Sequence, residues 1–195
     1  MPGRALSADD AALILVDFTE NLFGMCRPGT AGRIRHGAIA LAKIGKLFQL
    51  PTIVLGEGVG IAGPLVPEIN DMHRDATHVQ RSSFSAWDTS AFVDAVKATG
   101  RRQMILAGIA TDVCVSLTSL DLLRNGYEVF VVADASAAPT EQAELAALTR
   151  LAHGGAALVS WVGLGGELMR DWKSPHAAGL EAIFQAHIGP MLEAR

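Results

Sequence analysis

The sequence predicts an α/β fold, a single three-layer α/β/α domain over residues 1–195 in which helices cover both faces of a six-stranded, mostly parallel sheet. Strand and helix patterns alternate along the whole chain, which is the arrangement of parallel α/β domains. The first strand pattern, Ala11–Val16, is a continuous apolar run, as expected for a strand buried on both faces. A length of 195 residues suffices for one large core, and nothing requires a second domain.

Each predicted element follows from its hydrophobic pattern and its flanking residues. Short apolar runs predict strands at 11–16, 51–55, 77–80, 103–107, 127–132 and 156–160. Helical spacing predicts helices at about 31–49, 113–124 and 141–153, one from Asp88 or Thr89 to Gly100, and an amphipathic tail over 180–188. The Gly/Pro-rich stretch 57–67 is predicted to be a loop. The architecture is Rossmann-like, because right-handed crossovers bring the carboxyl ends of the strands to one edge.

The composition argues against several classes of partner. Charged residues make up 18% of the chain and apolar residues 50%, so we expect subunit contacts in a homo-oligomer to cover part of the surface. The net charge is −4 and no Lys/Arg cluster occurs, so no nucleic-acid partner is expected. No apolar run approaches the roughly 20 residues that span a bilayer, and no signal-peptide core is apparent, so no membrane association is expected. Cys26 and Cys114 give no disulfide framework, which favours a cytoplasmic location.

Asp17, Arg81 and Cys114 follow the first, third and fourth predicted strands. Parallel α/β sheets bind ligands at the carboxyl ends of their strands, where the strand order reverses, so we expect these side chains to converge. Cys114 falls in the first turn of a predicted helix, where N–H groups and the helix dipole stabilise a thiolate and Thr111 or Asp112 can cap the helix. A buried apolar filler is the alternative interpretation of this cysteine, and the convergence favours the catalytic one.

These residue types suit nucleophilic attack on a small-molecule substrate. A thiol must lose its proton before it attacks a carbonyl, and Asp17, flanked by apolar neighbours, is expected to have a raised pKa and to accept that proton. Arg81 supplies a fixed positive charge that can organise the site or bind an anionic substrate group. The backbone N–H groups of Ala110 and Cys114 are candidates for an oxyanion hole. The structural alternatives are a turn cap for Asp17 and a surface salt bridge for Arg81.

The segment Gly108–Val115, together with Leu15–Asp17 and Asp134–Ser136, resembles the isochorismatase-like cysteine hydrolases, and among them the YcaC-type hydrolases. Further matching segments extend over nearly the whole chain, at 51–53, 63–68, 86–88, 96–100 and 170–172. The resemblance implies an aspartate–lysine–cysteine triad that hydrolyses amides or related bonds through a covalent intermediate. It also implies a non-proline cis peptide between Ile109 and Ala110, which turns the Ala110 N–H toward the oxyanion, and a ring-like homo-oligomer such as an octamer.

The chain departs from the pattern of this superfamily at two places. Arg81 occupies the position of the family's lysine, and because arginine stays protonated it can pair with Asp17 but not shuttle a proton. The nicotinamidases of the superfamily bind a metal through an Asp-x-His pair and a further histidine, whereas Leu55–Gly60 contains no histidine. None of the six histidines has His-x-His or His-x-x-x-His spacing, so we expect neither a metal nor another cofactor.

Several aromatic residues flank the predicted crevice. They either wall an apolar substrate pocket or pack in the core, and they are Phe18, Phe23, Trp87 and Trp161. Phe84 is expected to pack in the core.

The sequence thus predicts a metal-independent cysteine hydrolase of a small amide, carbamoyl or related C–N substrate. Cys114 is the predicted nucleophile, Asp17 the base and Arg81 the electrostatic organiser. The alternative is a catalytically silent, thiol-bearing binding or redox-responsive protein on the same fold. Vinyl ether hydrolysis of the isochorismate type uses no cysteine in the family, so Cys114 argues against that reaction.

Overall fold

Six parallel strands form the central sheet in the computed structural model, which describes residues 5–56 and 62–193. The strands are β1 (Ala11–Val16), β2 (Thr52–Leu55), β3 (Thr77–Val79), β4 (Gln103–Gly108), β5 (Glu128–Val132) and β6 (Ala157–Val159). Their order across the sheet is β3-β2-β1-β4-β5-β6, and every neighbouring pair is parallel. The predicted α/β fold is confirmed, with a fully parallel sheet.

Helices connect the strands and cover both faces of this sheet. In the described residues they are α1 (Glu20–Phe23), α2 (Ala31–Leu47), α3 (Pro67–Met72), α4 (Ser90–Thr99), α5 (Ser116–Arg124), α6 (Glu141–His153), α7 (Trp161–Met169) and α8 (Ala177–Glu193). Single 3₁₀ turns occur at Ala86–Asp88 and Ala133–Ala135. A π-helical turn, Thr111–Val115, connects β4 to α5.

The central strand β1 contributes to two hydrophobic cores, because successive side chains of a strand point to opposite faces. Leu13 and Leu15 pack in a core with residues of α2, α7 and α8. Ile14 and Val16 pack in a second core with residues of α4 and α5. All of β1 is buried, as its continuous apolar sequence predicts. Apolar burial on both faces therefore holds the carboxyl end of β1 in a fixed position.

The strand order reverses between β1 and β4, whose backbones approach closely at their carboxyl ends. Val16 lies opposite Gly108, and a Cβ atom on Gly108 would lie only 2.1 Å from the Val16 carbonyl oxygen. Only glycine permits this approach. The segments that leave the two strands, starting with Asp17 and Ile109, therefore begin side by side at the edge where parallel α/β sheets bind ligands.

Some element boundaries differ from the prediction. Helix α2 ends at Leu47, two residues earlier than predicted. Residues 57–61 of the predicted loop lie outside the described residues, and the short helix α3 follows that loop. The helix predicted after β4 becomes α-helical only at Ser116, because a π-helical turn precedes it. The predicted stop after α5 is confirmed, since Gly126 there has a φ of +85°.

The predicted amphipathic tail lies within α8, which packs along α2. The buried residues of α8 are Leu180, Ile183 and His187. Across the parts of the chain that the structure describes, no helix combines the length and apolar character that crossing a membrane requires.

A chain of polar contacts crosses the interface between α2 and α8. Lys43 Nζ lies 2.8 Å from Nε2 of the buried His187, and Nδ1 of His187 lies 3.3 Å from Nδ1 of His36. An ammonium group can only donate, so His187 accepts at Nε2 and donates its Nδ1 proton to His36. Burial, and then the positive charge of Lys43, lower the pKa of His187 to about 4. His187 is therefore a neutral imidazole at neutral pH.

His187 should make the protein more stable at neutral than at acidic pH. The unfolded chain protonates this histidine near its usual pKa of 6.5, whereas the folded protein keeps it neutral down to about 4. Its contribution is thus fully present above the unfolded value and is lost as the pH falls toward the folded one. Urea unfolding between about pH 7 and pH 4 should show a smaller loss of stability for His187→Gln than for the wild type.

His153→Gln, at an exposed position of α6, is the matched control and should lose stability as the wild type does. Equal losses in the wild type and in His187→Gln would contradict the prediction.

Candidate active site

Asp17 directly follows β1 and is held in a left-handed backbone conformation. Its φ is +57°, its N–H donates to the Leu55 carbonyl at 3.1 Å, and its own carbonyl accepts from the Thr19 N–H at 2.8 Å. Only 6% of the residue is exposed. Gly56 lies behind it, and a Cβ atom there would come within 2.7 Å of the Asp17 carboxylate oxygen Oδ1. The end of β2 thus leaves room for the Asp17 side chain.

Arg81 approaches the same point from the loop after β3. Its Nη2 donates to Asp17 Oδ2, and its Nη1 donates to the Ser83 carbonyl oxygen. Side-chain exposure is 7% for Arg81 and 9% for Asp17, so this is a buried ion pair. Within the described residues, Arg81 Nε has no hydrogen-bond partner. The surface salt bridge considered for Arg81 is therefore not what the structure shows.

Cys114 lies in the π-helical turn between β4 and α5, and its thiol interacts with both Asp17 and Arg81. The three side chains predicted to converge do so. The predicted helix cap is wrong, because the N-cap residue of this turn is Ala110, whose side chain makes no capping hydrogen bond. Thr111 instead donates its hydroxyl to Glu144 Oε1 at 3.2 Å.

Asp17, Arg81 and Cys114 form a cluster of interacting side chains, and burial has the largest effect on the pKa values of its carboxyl and thiol groups. Burial raises the pKa of the Cys114 thiol, the negative charge of Asp17 raises it further, and Arg81 only partly opposes both effects. The helix start was expected to lower the pKa of Cys114, whereas burial and Asp17 place the pKa of this thiol above its usual value. Burial also raises the pKa of Asp17, against the lowering effects of Arg81 and Cys114. This direction agrees with the sequence expectation and suits a carboxylate that accepts a thiol proton.

The turn that carries Cys114 has a distinctive backbone. The peptide bond between Ile109 and Ala110 is cis, as the family resemblance implies. The Ala110 carbonyl accepts from the N–H groups of Val113 at 3.3 Å and Val115 at 3.2 Å. The oxyanion role expected for the N–H groups of Ala110 and Cys114 stays a prediction.

The aromatic residues expected to wall a substrate pocket pack in the two cores. Trp161 is 0% exposed between α7 and α8, against Phe184, so its predicted pocket role is corrected to core packing. Trp87 packs edge-on against Phe92 and Tyr127 on the α4 side of the sheet.

Phe18 and Phe23 stack on each other with ring centroids 6.0 Å apart, and both belong to the core that includes α2. Phe84, expected in the core, is 69% exposed. Phe18, Phe23 and Trp87 thus pack with the two hydrophobic cores, and their role in a substrate pocket stays a prediction.

No group of three or more His, Cys, Asp or Glu side chains in residues 5–56 and 62–193 is arranged to hold a metal ion. Glu57 lies outside the described residues. Metal independence therefore stays a prediction.

Gly56 and the loop that carries Ser83 and Ser85 were not identified from the sequence as supports of the cluster. Gly56 appeared only as the end of a strand, although a glycine that follows a buried strand at the carboxyl edge is a usable signal for close packing. Ser83 and Ser85 lie in a serine-rich loop, and such a composition indicates a turn without showing what the hydroxyl groups contact.

The fold and this cluster define a class of protein: a doubly wound α/β domain with a carboxylate, a cation and a thiol at the switch point of a parallel sheet. The Isochorismatase domain model matches residues 11–162, and the chain belongs to the isochorismatase family of hydrolases.

The relatives support this assignment over almost the full length. The probable hydrolase YcaC of Escherichia coli is 40% identical over 189 residues, which cover 96% of this chain and 90% of that protein. YcaC from Pseudomonas aeruginosa, solved with hexane-2,5-diol and covalent acrylamide, is 38% identical with a TM-score of 0.93, covering 99% of this chain and 96% of that one. The crystal structure of E. coli YcaC, an octameric hydrolase of unknown specificity, also has 38% identity and a TM-score of 0.93, with coverages of 99% and 95%.

Gly56→Ala should displace Asp17 from the cluster. Alanine at this position must adopt a φ of +105° and place its Cβ 2.7 Å from Asp17 Oδ1. The positive φ alone costs about 1–3 kcal/mol. Gly155→Ala is the matched control, since Gly155 has a φ of +100° and a Cβ atom there would meet no other atom within 4 Å.

Both variants should unfold at lower temperature, but only Gly56→Ala should change the rate at which iodoacetamide alkylates Cys114. If both variants alkylate at the wild-type rate, Gly56 does not position Asp17.

The pKa of Cys114 should depend on the charge of Arg81. Arg81 lowers this pKa, so Arg81→Ala should raise it and slow alkylation at neutral pH by about tenfold for each pKa unit. Arg81→Lys keeps the charge and should retain most of the wild-type rate. Alkylation of the Cys114 peptide is followed against pH by mass spectrometry, with Cys26 as internal reference because burial raises its pKa to about 11. An unchanged pH profile in Arg81→Ala would show that Arg81 does not act on the thiol.

Proposed function

We propose that this protein is a metal-independent cysteine hydrolase of small amide, carbamoyl or related C–N substrates. The observation that carries the proposal is the meeting of Asp17, Arg81 and Cys114 at the carboxyl edge of the sheet, where the ion pair is buried and Cys114 is half-buried. A thiol, a base and a fixed cation in one site form the minimum set for nucleophilic acyl transfer.

In the first half of the reaction, Cys114 Sγ attacks the substrate carbonyl carbon while Asp17 accepts the thiol proton. The raised pKa of Asp17 suits this transfer, because the carboxylate competes better for the proton than a solvated one. The N–H groups of Ala110 and Cys114 stabilise the oxyanion. The C–N bond then breaks, the leaving amine takes the proton from Asp17, and a thioester remains on Cys114.

In the second half, Asp17 takes a proton from water as its oxygen attacks the thioester carbonyl. The C–S bond breaks, the carboxylic acid product leaves, and Asp17 returns the proton to Cys114. Arg81 keeps its charge throughout and holds Asp17 in place through the buried ion pair. All proton movement thus runs between Asp17, Cys114 and the reactants.

Two further observations support the proposal. A relative with 38% identity over nearly the whole chain, YcaC of P. aeruginosa, was solved with covalent acrylamide, a small amide-bearing electrophile. Among the residues that the structure describes, no three side chains of the usual metal-binding types gather at one point, which favours chemistry carried by Cys114 itself.

We also propose that the protein works as a homo-oligomer. E. coli YcaC, which is 38% identical, is an octameric hydrolase. Large apolar side chains stand exposed on this chain and would be covered by subunit contacts; they are Met25, Phe84, Leu145, Leu158, Trp172 and Leu192.

Incubation with a panel of small amides and carbamoyl compounds tests the reaction. Turnover and a covalent adduct, detected by intact-protein mass spectrometry, should disappear in Cys114→Ala and persist in Cys26→Ala. Cys26 is the matched control because it is buried and its Sγ points toward the Leu22 carbonyl at 3.8 Å. Asp17→Asn keeps the shape and removes the base, so turnover should fall by about 10²–10⁴-fold.

Turnover that survives in Cys114→Ala would overturn the proposal. A stable Cys114 adduct with every compound, without product, would instead favour a silent thiol-bearing binding protein on this fold.

A further inference from the structure

The loop that carries Arg81 has no regular secondary structure, yet it must hold a buried guanidinium in one position. Arg81 donates to the Ser83 carbonyl oxygen, which ties the guanidinium to its own loop. The Ser83 hydroxyl donates to the Ser85 carbonyl at 2.7 Å and lies 3.1 Å from the Thr89 hydroxyl. The position of Arg81 therefore depends on what holds Ser83 and Ser85.

Two residues of α5 hold this loop. The Ser85 hydroxyl donates to Asp121 Oδ2 at 2.7 Å, and the Ala86 N–H donates to the Thr118 hydroxyl at 3.0 Å. Ser85, Ala86 and Thr118 are all buried. Thr118 and Asp121 lie three residues apart, so they share one face of the helix. Helix α5 directly continues the turn that carries Cys114.

We propose that Asp121 and Thr118 are positioning residues that clamp the Arg81 loop to the helix that carries the nucleophile. This inference rests on the proposed function, because it explains how Arg81 stays in register with Cys114. The two residues act through Ser85 and Ala86 and do not touch the reacting atoms. The clamp connects the loop after β3 to the helix after β4, and its contacts are separate from the Asp17–Arg81 ion pair.

The Asp121 contact is the stronger part of the clamp. A hydrogen bond from a hydroxyl to an ionised carboxylate is about twice as strong as one between neutral groups. The Asp121 side chain also forms an ion pair with Arg124 at 2.7 Å, but the Arg124 side chain is 67% exposed, and such pairs contribute little. A displacement of about 1 Å at a catalytic group can lower a rate by roughly 10²-fold, so a small slip of the loop matters.

The test measures the alkylation of Cys114 by iodoacetamide against pH in the full-length protein. Asp121→Ala releases Ser85, so Arg81 should act less on the thiol and the midpoint of the profile should rise by about half to one pH unit. At neutral pH this corresponds to alkylation that is about three- to tenfold slower. Asp121→Asn keeps an oxygen acceptor for Ser85 and should restore the wild-type midpoint. Arg124→Gln removes only the exposed ion pair and is the matched control.

A merely structural role for Asp121 predicts a lower melting temperature with an unchanged alkylation profile, and that result would overturn the proposal. If Asp121→Ala does not fold, Thr118→Val removes the second contact at nearly constant shape and should shift the profile in the same direction. Failure of that variant to do so would equally overturn the proposal.

The alkylation assay needs no substrate, so it separates this inference from the proposed function. Hydrolysis that persists in Cys114→Ala would refute the hydrolase mechanism and leave a shifted profile as support for the clamp. An unshifted profile together with loss of hydrolysis in Cys114→Ala would refute the clamp alone.

Discussion

The buried ion pair between Asp17 and Arg81 is the constraint on which the site depends. Each charge has left water, and removing either partner from such a pair leaves an uncompensated buried charge at a penalty of about 3–5 kcal/mol. Asp17 is fixed by the central strand, whereas Arg81 comes from a loop beyond the short edge strand β3. The ion pair therefore holds the loop after the edge strand β3 against the carboxyl end of the central strand β1. Cys114 lies where the thiol contacts both charges.

The burial of the Asp17–Arg81 ion pair also affects the pKa of the neighbouring Cys114 thiol. Burial and the neighbouring Asp17 carboxylate outweigh Arg81, so the pKa of the Cys114 thiol lies above its usual value. In the proposed mechanism, the nucleophile is therefore formed when the thiol proton passes to Asp17 during attack. An arginine at this position keeps its charge at every step, so it stabilises the carboxylate without competing for the proton. Because Arg81 cannot give up its proton, the proposed mechanism leaves Asp17 as the acceptor of the thiol proton.

The fold of the protein could be predicted from the sequence more completely than the interior of the site. The apolar run of β1 and the alternation of strands and helices determine the topology, which in turn brings Asp17, Arg81 and Cys114 to one edge. The π-helical turn could not be predicted from local pattern, because distant contacts hold it, such as the donation from the Thr111 N–H to the Ala137 carbonyl at 2.8 Å. The raised pKa of Cys114 could not be predicted for the same reason, since burial and a neighbour distant in sequence produce it.

The site also depends on two glycines, which have no side chain. Gly108 lets β1 and β4 approach until a Cβ atom would collide with the Val16 carbonyl, and Gly56 leaves room behind the Asp17 carboxylate. Both glycines lie at the carboxyl ends of strands next to β1, where the backbone carries chemical groups toward a common point. Any larger residue at either position would push Asp17 or the Cys114 turn outward. The reactive side chains can therefore come into contact, because at these glycines no side chain separates the neighbouring backbones.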